Sequence, residues 1–494
     1  MKEDIKKYVA RYVVPFYFPS ENNGYSQMLT FFRHYPNPNH KAALPIDGTW
    51  VEKGFWKKDA EHTTVEMETD IYQYLFKGFE EHQEACARNG TNLGVSFIYQ
   101  SKHHFIEIKY CVNGNPVLLY GLNMGVLICR NGVSFIWYEI GFPDAIDQEN
   151  YIQFQHQFKE LTSLGELIMK SDVTTKNQIV ESPLFCMGEW LKHVVDPFEF
   201  PIHFWSEREV FLETSGQKEM IPAKALLFQY FFVETEERQE RCKLAFQLAN
   251  GYDTKYEPPL TLLEECYEPF GNTCFHISKS GFAYVVSRTT LSEGFFKNNF
   301  PYKFVKDYFF IYLLLLYQTF SCAQYSRLLT KLPADTSAFE HEVAHLDTLE
   351  SLDTQINLFL IKSIFDSISS VHHQNGCYKY GKMALCIDDD IHSLKVGLDA
   401  LRGIEREKYE NQCALIEKME LKIRERRESA VNCAVTVVGF LVVISTIMDV
   451  LNLVDWFLVS KYRIHSWHIM ALGIVAVITL LIFVCYYKFI RKTK

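Results

Sequence analysis

A chain of 494 residues that is 48% hydrophobic and 22% charged has enough apolar material for two or three folded domains, which excludes a disordered or collagen-like protein. Its net charge of −10, with no long Lys/Arg block outside the C-terminal region, argues against nucleic acid as the main partner and leaves small anionic ligands open. The thirteen cysteines form no CxxC pair, and the opening MKEDIKKYVA is charged where a signal peptide needs an apolar core, so a reduced, cytosol-facing protein is expected.

The first part of the chain alternates like a sheet protein. YVARYVVPFYF (8–18), GVSFIYQ (94–100), HFIEIKY (104–110) and PVLLYG (116–121) are short β-branched and aromatic runs. VLICRNGVSFIWYEI then places Asn131-Gly132 between two more, and that dipeptide tolerates the positive φ angles of a tight hairpin. Tyr151, Phe154, Phe158, Leu161 and Leu164 recur at helical spacing, which predicts a helix over 149–170 packed on the sheet. Mixed signals follow at KALLFQYFFVE (224–234) and CFHISKSGFAYVVSRT (274–289). Residues 1–300 are therefore expected to form an α/β (α+β) cytosolic domain with a ligand-sensing role.

Residues 301–429 are expected to be a helical domain and stalk. The apolar run Tyr308–Tyr317 spans only about half a bilayer, so DYFFIYLLLLYQTF (307–320) reads as a buried helix. Leu346, Leu349, Leu352, Ile356, Leu360 and Ile364 form one apolar stripe, and HHQNGCYKYGK (372–382) reads as a turn. Asp388, Asp389 and Asp390 supply acids for the start of a helix with a stripe at Leu394, Leu398, Leu401, Ile404, Leu415, Met419 and Ile423. No proline lies between Ile391 and the apolar segment beyond, so one helix is expected to run straight into it. Such a stripe suits a self-associating stalk or a helix pair within one chain.

Two uncharged runs, Ala430–Met448 and Ile469–Tyr487, have 19 residues each. At about 1.5 Å per residue each reaches roughly the 30 Å of a bilayer's hydrocarbon. They predict transmembrane helices over 430–450 and 469–489, a short external loop over 451–468 and a basic tail over 490–494. Lys418, Lys422, Arg424, Arg426 and Arg427 precede the first run, Lys488, Arg491, Lys492 and Lys494 follow the second, and the loop holds only Lys461 and Arg463. Both termini should therefore face the cytoplasm of an inner membrane. Trp456, Trp467, Tyr486 and Tyr487 sit where amphipathic aromatics mark membrane boundaries.

The first span is not uniformly apolar. Asn432, Thr436, Gly439, Val443, Thr446 and Asp449 fall along one side at about 100° per residue. Lipid offers these groups no hydrogen bonds, so they turn toward other helices or toward water. Two readings follow: hydrogen-bonding glue between helices, or the lining of a conduit shared by several copies, with Asp449 as a cation-attracting ring at the outer mouth.

HEVAH (341–345) matches the HExxH zinc-protease pattern, in which His341 and His345 ligate metal and Glu342 activates water; Asp347 stands where the extended pattern wants an apolar residue. His372, His373 and Cys377 fit no standard metal spacing. There is no GxxxxGKS, GxGxxG or nucleophile elbow, so no catalytic site, resident metal or cofactor is expected.

The layout from Ala338 to Lys494, a stalk helix and two C-terminal spans behind a large cytosolic domain, resembles the CorA family of divalent cation channels. Where that family carries Gly-Met-Asn after its first span, this chain reads MDVLNLVDWF (448–457). FQHQFKELTS (154–163), SKSGFAYVV (278–286) and DYFFIYLLLLYQ (307–318) are similar to segments of the CorA-like membrane effectors of type III CRISPR antiviral systems. The resemblance implies a homo-oligomer, pentameric by analogy, whose cytosolic domain binds a nucleotide second messenger such as SAM-AMP or cyclic oligoadenylate and changes the permeability of the bilayer. It implies ligand or structural roles for Lys159, Glu160, Ser278, Lys279, Ser280 and Gly281. The alternatives are a divalent cation transporter with altered selectivity and, in another class, a membrane-anchored metalloprotease.

Overall fold

The computed structural model describes residues 8–19, 24–25, 27–28, 50–52, 96–101, 107–112, 115–141, 147–162, 164–170, 179–195, 201–212, 216–259, 266–287, 294–331 and 343–462, and scattered positions within 473–484. It divides into two compact units, Met1–Arg402 and Gly403–Lys494.

In the first unit the strands are β1 (Tyr8–Tyr17), β2 (Trp50–Glu52), β3 (Ser96–Ser101), β4 (Glu107–Val112), β5 (Asn115–Cys129) and β6 (Val133–Gly141). Helix α1 (Gln148–Phe158), strands β7 (Leu164–Lys170) and β8 (Ile179–Cys186) and helix α2 (Met187–Val195) come next. Strands β9 (His203–Phe204), β10 (Glu207–Leu212), β11 (Gln217–Pro222) and β12 (Leu226–Val233) precede helix α3 (Arg238–Asn250), β13 (Thr273–Ser278) and β14 (Gly281–Ser287).

Twelve strands form one sheet, ordered β13-β14-β12-β1-β6-β5-β4-β7-β8 along its main path, with β3 on β5, β2 on β3 and β9 on β1; β10 and β11 pair separately. All the pairings are antiparallel except β12 with β14. That parallel pair needs a crossover, and α3 lies within it. The Asn131-Gly132 hairpin joins β5 to β6 as expected: Gly132 takes φ 87°, and Asn131 Oδ1 accepts from the Val133 amide at 3.2 Å.

Both faces of the sheet are covered, which explains why strands such as LLFQYFFV read as continuous apolar runs. Tyr12, Val14 and Phe16 of β1 pack in one core with Tyr151, Phe154, Leu191 and Leu248 of α1, α2 and α3. Val9 and Val13, on the opposite face, join a second core built by the following helices. Those begin with a run that is π-helical at Phe295–Asn299 and Phe304–Tyr308 around α4 (Phe300–Lys303), and continue as α5 (Phe309–Thr330). Helices α6 (Val343–Lys362) and α7 (His372–Ala384) and the start of α8 (Ile387–Tyr462) complete that layer.

The buried-helix expectation for 307–320 holds, with Phe309 through Gln318 all buried in α5. Gln318 pairs its Nε2 there, donating to the Ser363 carbonyl at 2.7 Å and to Tyr378 Oη at 2.8 Å. Asp388, Asp389 and Asp390 stand in the first turn of α8, where acids complement the helix dipole.

Two expectations are corrected. The helix predicted over 149–170 stops at Phe158, and 164–170 is strand β7. Leu161 donates its amide to Ala223 O (2.8 Å) and accepts from Gly188 N (2.9 Å), so tertiary pairing claims the backbone that a longer helix would use. The turn predicted over 372–382 is helix α7. Its glycines serve close packing instead: a Cβ on Gly376 would lie 2.3 Å from Tyr267 Oη, and one on Gly381 would lie 2.3 Å from Leu315 Cδ1.

In the second unit α8 continues as helix through Tyr462. The stretch Tyr409–Trp456 contains an 18-residue window of mean hydropathy 2.3 with none of it buried. One helix long and apolar enough to cross a membrane is thus present among the described residues. Of the second apolar run, positions 473–474, 476–478, 480–481 and 484 are described, as helix, and the rest lies outside the described residues.

Candidate functional site

The residues of the first unit singled out by resemblance lie at one corner of it, around the C-terminus of α3. Lys159 caps the end of α1, and its ammonium donates to Gly251 O at 2.8 Å and Asn250 O at 3.3 Å. His156, one turn earlier on α1, holds the same Gly251 carbonyl through Nδ1 at 2.8 Å. These carbonyls are the last of α3, where the helix dipole favours cations, and Gly251 takes the left-handed φ of 59° that ends a helix. Burial holds the Lys159 ammonium below the usual lysine range, with Glu160 opposing that shift.

Lys279 and Ser280 form the tight turn of the β13–β14 hairpin. Ser278 Oγ donates to Ala249 O at 2.9 Å and accepts from Ser280 N at 3.1 Å. The Ser280 carbonyl accepts from Leu227 N at 3.0 Å. Gly281 has no room for a side chain, since a Cβ there would stand 2.6 Å from Leu227 O and 2.9 Å from Ala249 O. Glu160 pairs with Lys224 at 3.4 Å. Two segments more than a hundred residues apart thus meet on residues 249–251. Two of the three ammonium donors of Lys159 are placed on carbonyls, and the Tyr252 ring lies 6.0 Å away. Tyr252 and Tyr256 add a pair of rings, 4.3 Å between centroids, beside it.

In the second unit the polar positions of the apolar helix divide into two kinds. Thr436 Oγ1 donates to Asn432 O at 2.7 Å and Thr446 Oγ1 to Val442 O at 2.9 Å, four residues back in each case. These hydroxyls are satisfied within their own helix and need no partner. Asn432 and Asp449 are exposed on the same helix as Val443 and Gly439, and Gly439 has nothing within 4 Å of a built Cβ.

The HEVAH pattern cannot be followed to its chemistry: His341 and Glu342 lie outside the described residues, as does the His345 side chain, although its backbone belongs to α6. His373 is engaged in the core, bonded to Tyr308 Oη at 2.8 Å through Nδ1 and packed on Phe270. Cys377 is 1% exposed, and burial raises its thiol pKa.

A different cluster escaped the sequence. Cys242 of α3, Cys266 and Cys274 of β13 are buried with their sulfurs all within 4.8 Å of one another. Their spacings in the chain are irregular, and the one local signal was Cys274-Phe275-His276, an i, i+2 pair that a strand places on one face.

Comparison with protein-family models, with curated proteins and with solved structures gave no match.

Proposed function

We propose that this protein is a ligand-gated membrane effector: its α/β unit binds a nucleotide second messenger, and its apolar helices, assembled from several copies, carry the response across a bilayer. The observation that carries this reading is the window of mean hydropathy 2.3 in α8 with no residue buried. In water so much exposed apolar surface is costly, at about 25 cal/mol per Å², and lipid or neighbouring copies remove that cost. Supporting it are the second apolar run, Ile469–Tyr487, the basic flanks of both runs and the resemblance to CorA-like effectors of type III CRISPR systems. On this reading 430–450 and 469–489 cross the inner membrane, 451–468 is external and both termini are cytoplasmic.

Because Thr436 and Thr446 bond their own backbone, Asn432 and Asp449 are the polar side chains of that stripe for which an assembly must supply partners or water. They are the residues expected to face the ion path. On the cytosolic side, the resemblance implies that the messenger binds near Lys159 and the 278–281 turn, beside Tyr252 and Tyr256. A ligand opens a channel only by binding the open state more tightly, so the corner must change shape, or gain a neighbour, on activation.

The test is ion release from liposomes carrying the full chain, with SAM-AMP and cyclic oligoadenylates added in turn. Release is expected only with the matching nucleotide, lowered at least tenfold by Asn432→Leu with Asp449→Leu, and native mass in detergent should show an oligomer. A monomer, or release untouched by both substitutions, defeats the channel. Steady release of divalent cations without nucleotide supports the transporter reading in its place.

A further inference from the structure

The three buried sulfurs in the first unit belong to elements that pack against each other: α3 lies on β13 and β14. Cys242 and Cys274 are 0% exposed and Cys266 is 7% exposed. Cys274 Sγ stands 3.3 Å from Cys242 Sγ, and Cys266 Sγ lies 3.6 Å from the Cys242 carbonyl. All three sulfurs fall within 4.8 Å of one another. For a tetrahedral zinc with Zn–S near 2.3 Å, neighbouring sulfurs stand about 3.8 Å apart, so the trio needs shifts of only tenths of an ångström to about one ångström to share an ion.

A fourth donor is present. His276 shares the β13 face with Cys274, is 6% exposed, and its Nδ1 is 4.0 Å from Cys266 Sγ. The Tyr380 hydroxyl bonds the same nitrogen at 3.0 Å and would have to release it, or remain beside it as an orienting neighbour. Glu268, 3.6 Å from Cys242 Sγ, is already ion-paired to Arg238 at 2.6 Å, so it serves better as a charge neighbour than as a ligand.

We infer that Cys242, Cys266 and Cys274, with His276 in the fourth position, form a structural site for one soft divalent cation of the zinc class. Soft thiolates with one imidazole select such an ion over magnesium or calcium, which prefer oxygen. Loading converts three thiols and one divalent ion into a three-thiolate complex and releases three protons, with no change in oxidation state. The ion would clip α3 to the sheet's edge strand β13, adding a cross-link to the apolar contacts that Leu244, Leu248 and Ala249 make in the same core. This inference is independent of the channel reading, because a structural clip holds the fold whatever the membrane helices do.

The test uses full-length protein purified in detergent without chelator. About one zinc per chain is expected by elemental analysis, and exchange for cobalt should give the thiolate charge-transfer and visible bands of a tetrahedral site. Cys274→Ser or Cys242→Ser should remove the metal, while Cys413→Ser, an exposed thiol on α8, should keep it. The cobalt spectrum of the unsubstituted protein decides the matter even if those variants fail to fold. Less than a tenth of a zinc per chain with no cobalt band overturns the site, as does an intact mass two hydrogens light with the three thiols partly unreactive, which would show a disulfide.

Discussion

Two apolar helices in this chain end in opposite surroundings. Leu313 and Leu315 of α5 are 0% exposed, packed between β6 and α7, whereas Leu441 of α8 is 60% exposed. Both helices are long: α5 has 22 residues and α8 has 76. In α5 the buried stretch is broken by Gln318, and that amide finds two partners inside the protein. In α8 the hydroxyls of Thr436 and Thr446 bond the carbonyl four residues back on their own helix, as Thr319 does in α5. Apolar composition says that a helix leaves water; the neighbouring chain decides whether it enters a core or needs a membrane.

The comparison can be broken most forcefully in α5. Leu315→Ala opens a cavity beside Gly381 and should lower unfolding stability by about 2–5 kcal/mol, read by thermal or denaturant unfolding in detergent. Leu441→Ala, the matching change on α8, should shift the same transition by less than about 0.5 kcal/mol. Equal losses at the two positions would mean that α8 is buried in the protein as α5 is.

A charge sharpens the contrast from the other side. Leu441→Arg near the centre of the proposed span should cost about 2.5–3.5 kcal/mol of insertion, read as a lowered membrane-integrated fraction in a glycosylation-mapping assay. An unchanged integrated fraction would count against a lipid-facing α8.

The smallest effect comes from one substitution made in two helices. Gly376→Ala in α7 forces a methyl toward Tyr267 Oη and should destabilise by about 1–3 kcal/mol. Gly439→Ala in α8 meets nothing within 4 Å and should leave the single chain unharmed or gain up to about 1 kcal/mol of helix propensity. If Gly439→Ala instead weakens the detergent-solubilised oligomer, neighbouring copies approach at that glycine.

Much of this was legible in the residues themselves. The strand at 8–18, the described part of the one at 104–110, the Asn131-Gly132 hairpin and the buried α5 follow from period, length and turn chemistry, all of which act over a few residues, whereas 224–234 gave only mixed signals before it proved to hold β12. The failures have one cause. The helix predicted over 149–170 ended early because Leu161 found backbone partners at Ala223 and Gly188, and the predicted turn at 372–382 became α7 because its glycines admit Tyr267 and Leu315. At the candidate sites, resemblance pointed to Lys159 and to Ser278–Gly281, but nothing local showed that both meet the end of α3.

By itself the sequence determined which segments are apolar enough to leave water, where the acids and bases flank them, and which stretches alternate as strands, because those preferences belong to each residue and its near neighbours. Only the tertiary structure decided that one apolar helix is covered and another bare, and that Cys242, Cys266 and Cys274 stand together. Proximity between distant residues is a property of the twelve-stranded sheet and its crossover, and no local pattern encodes it.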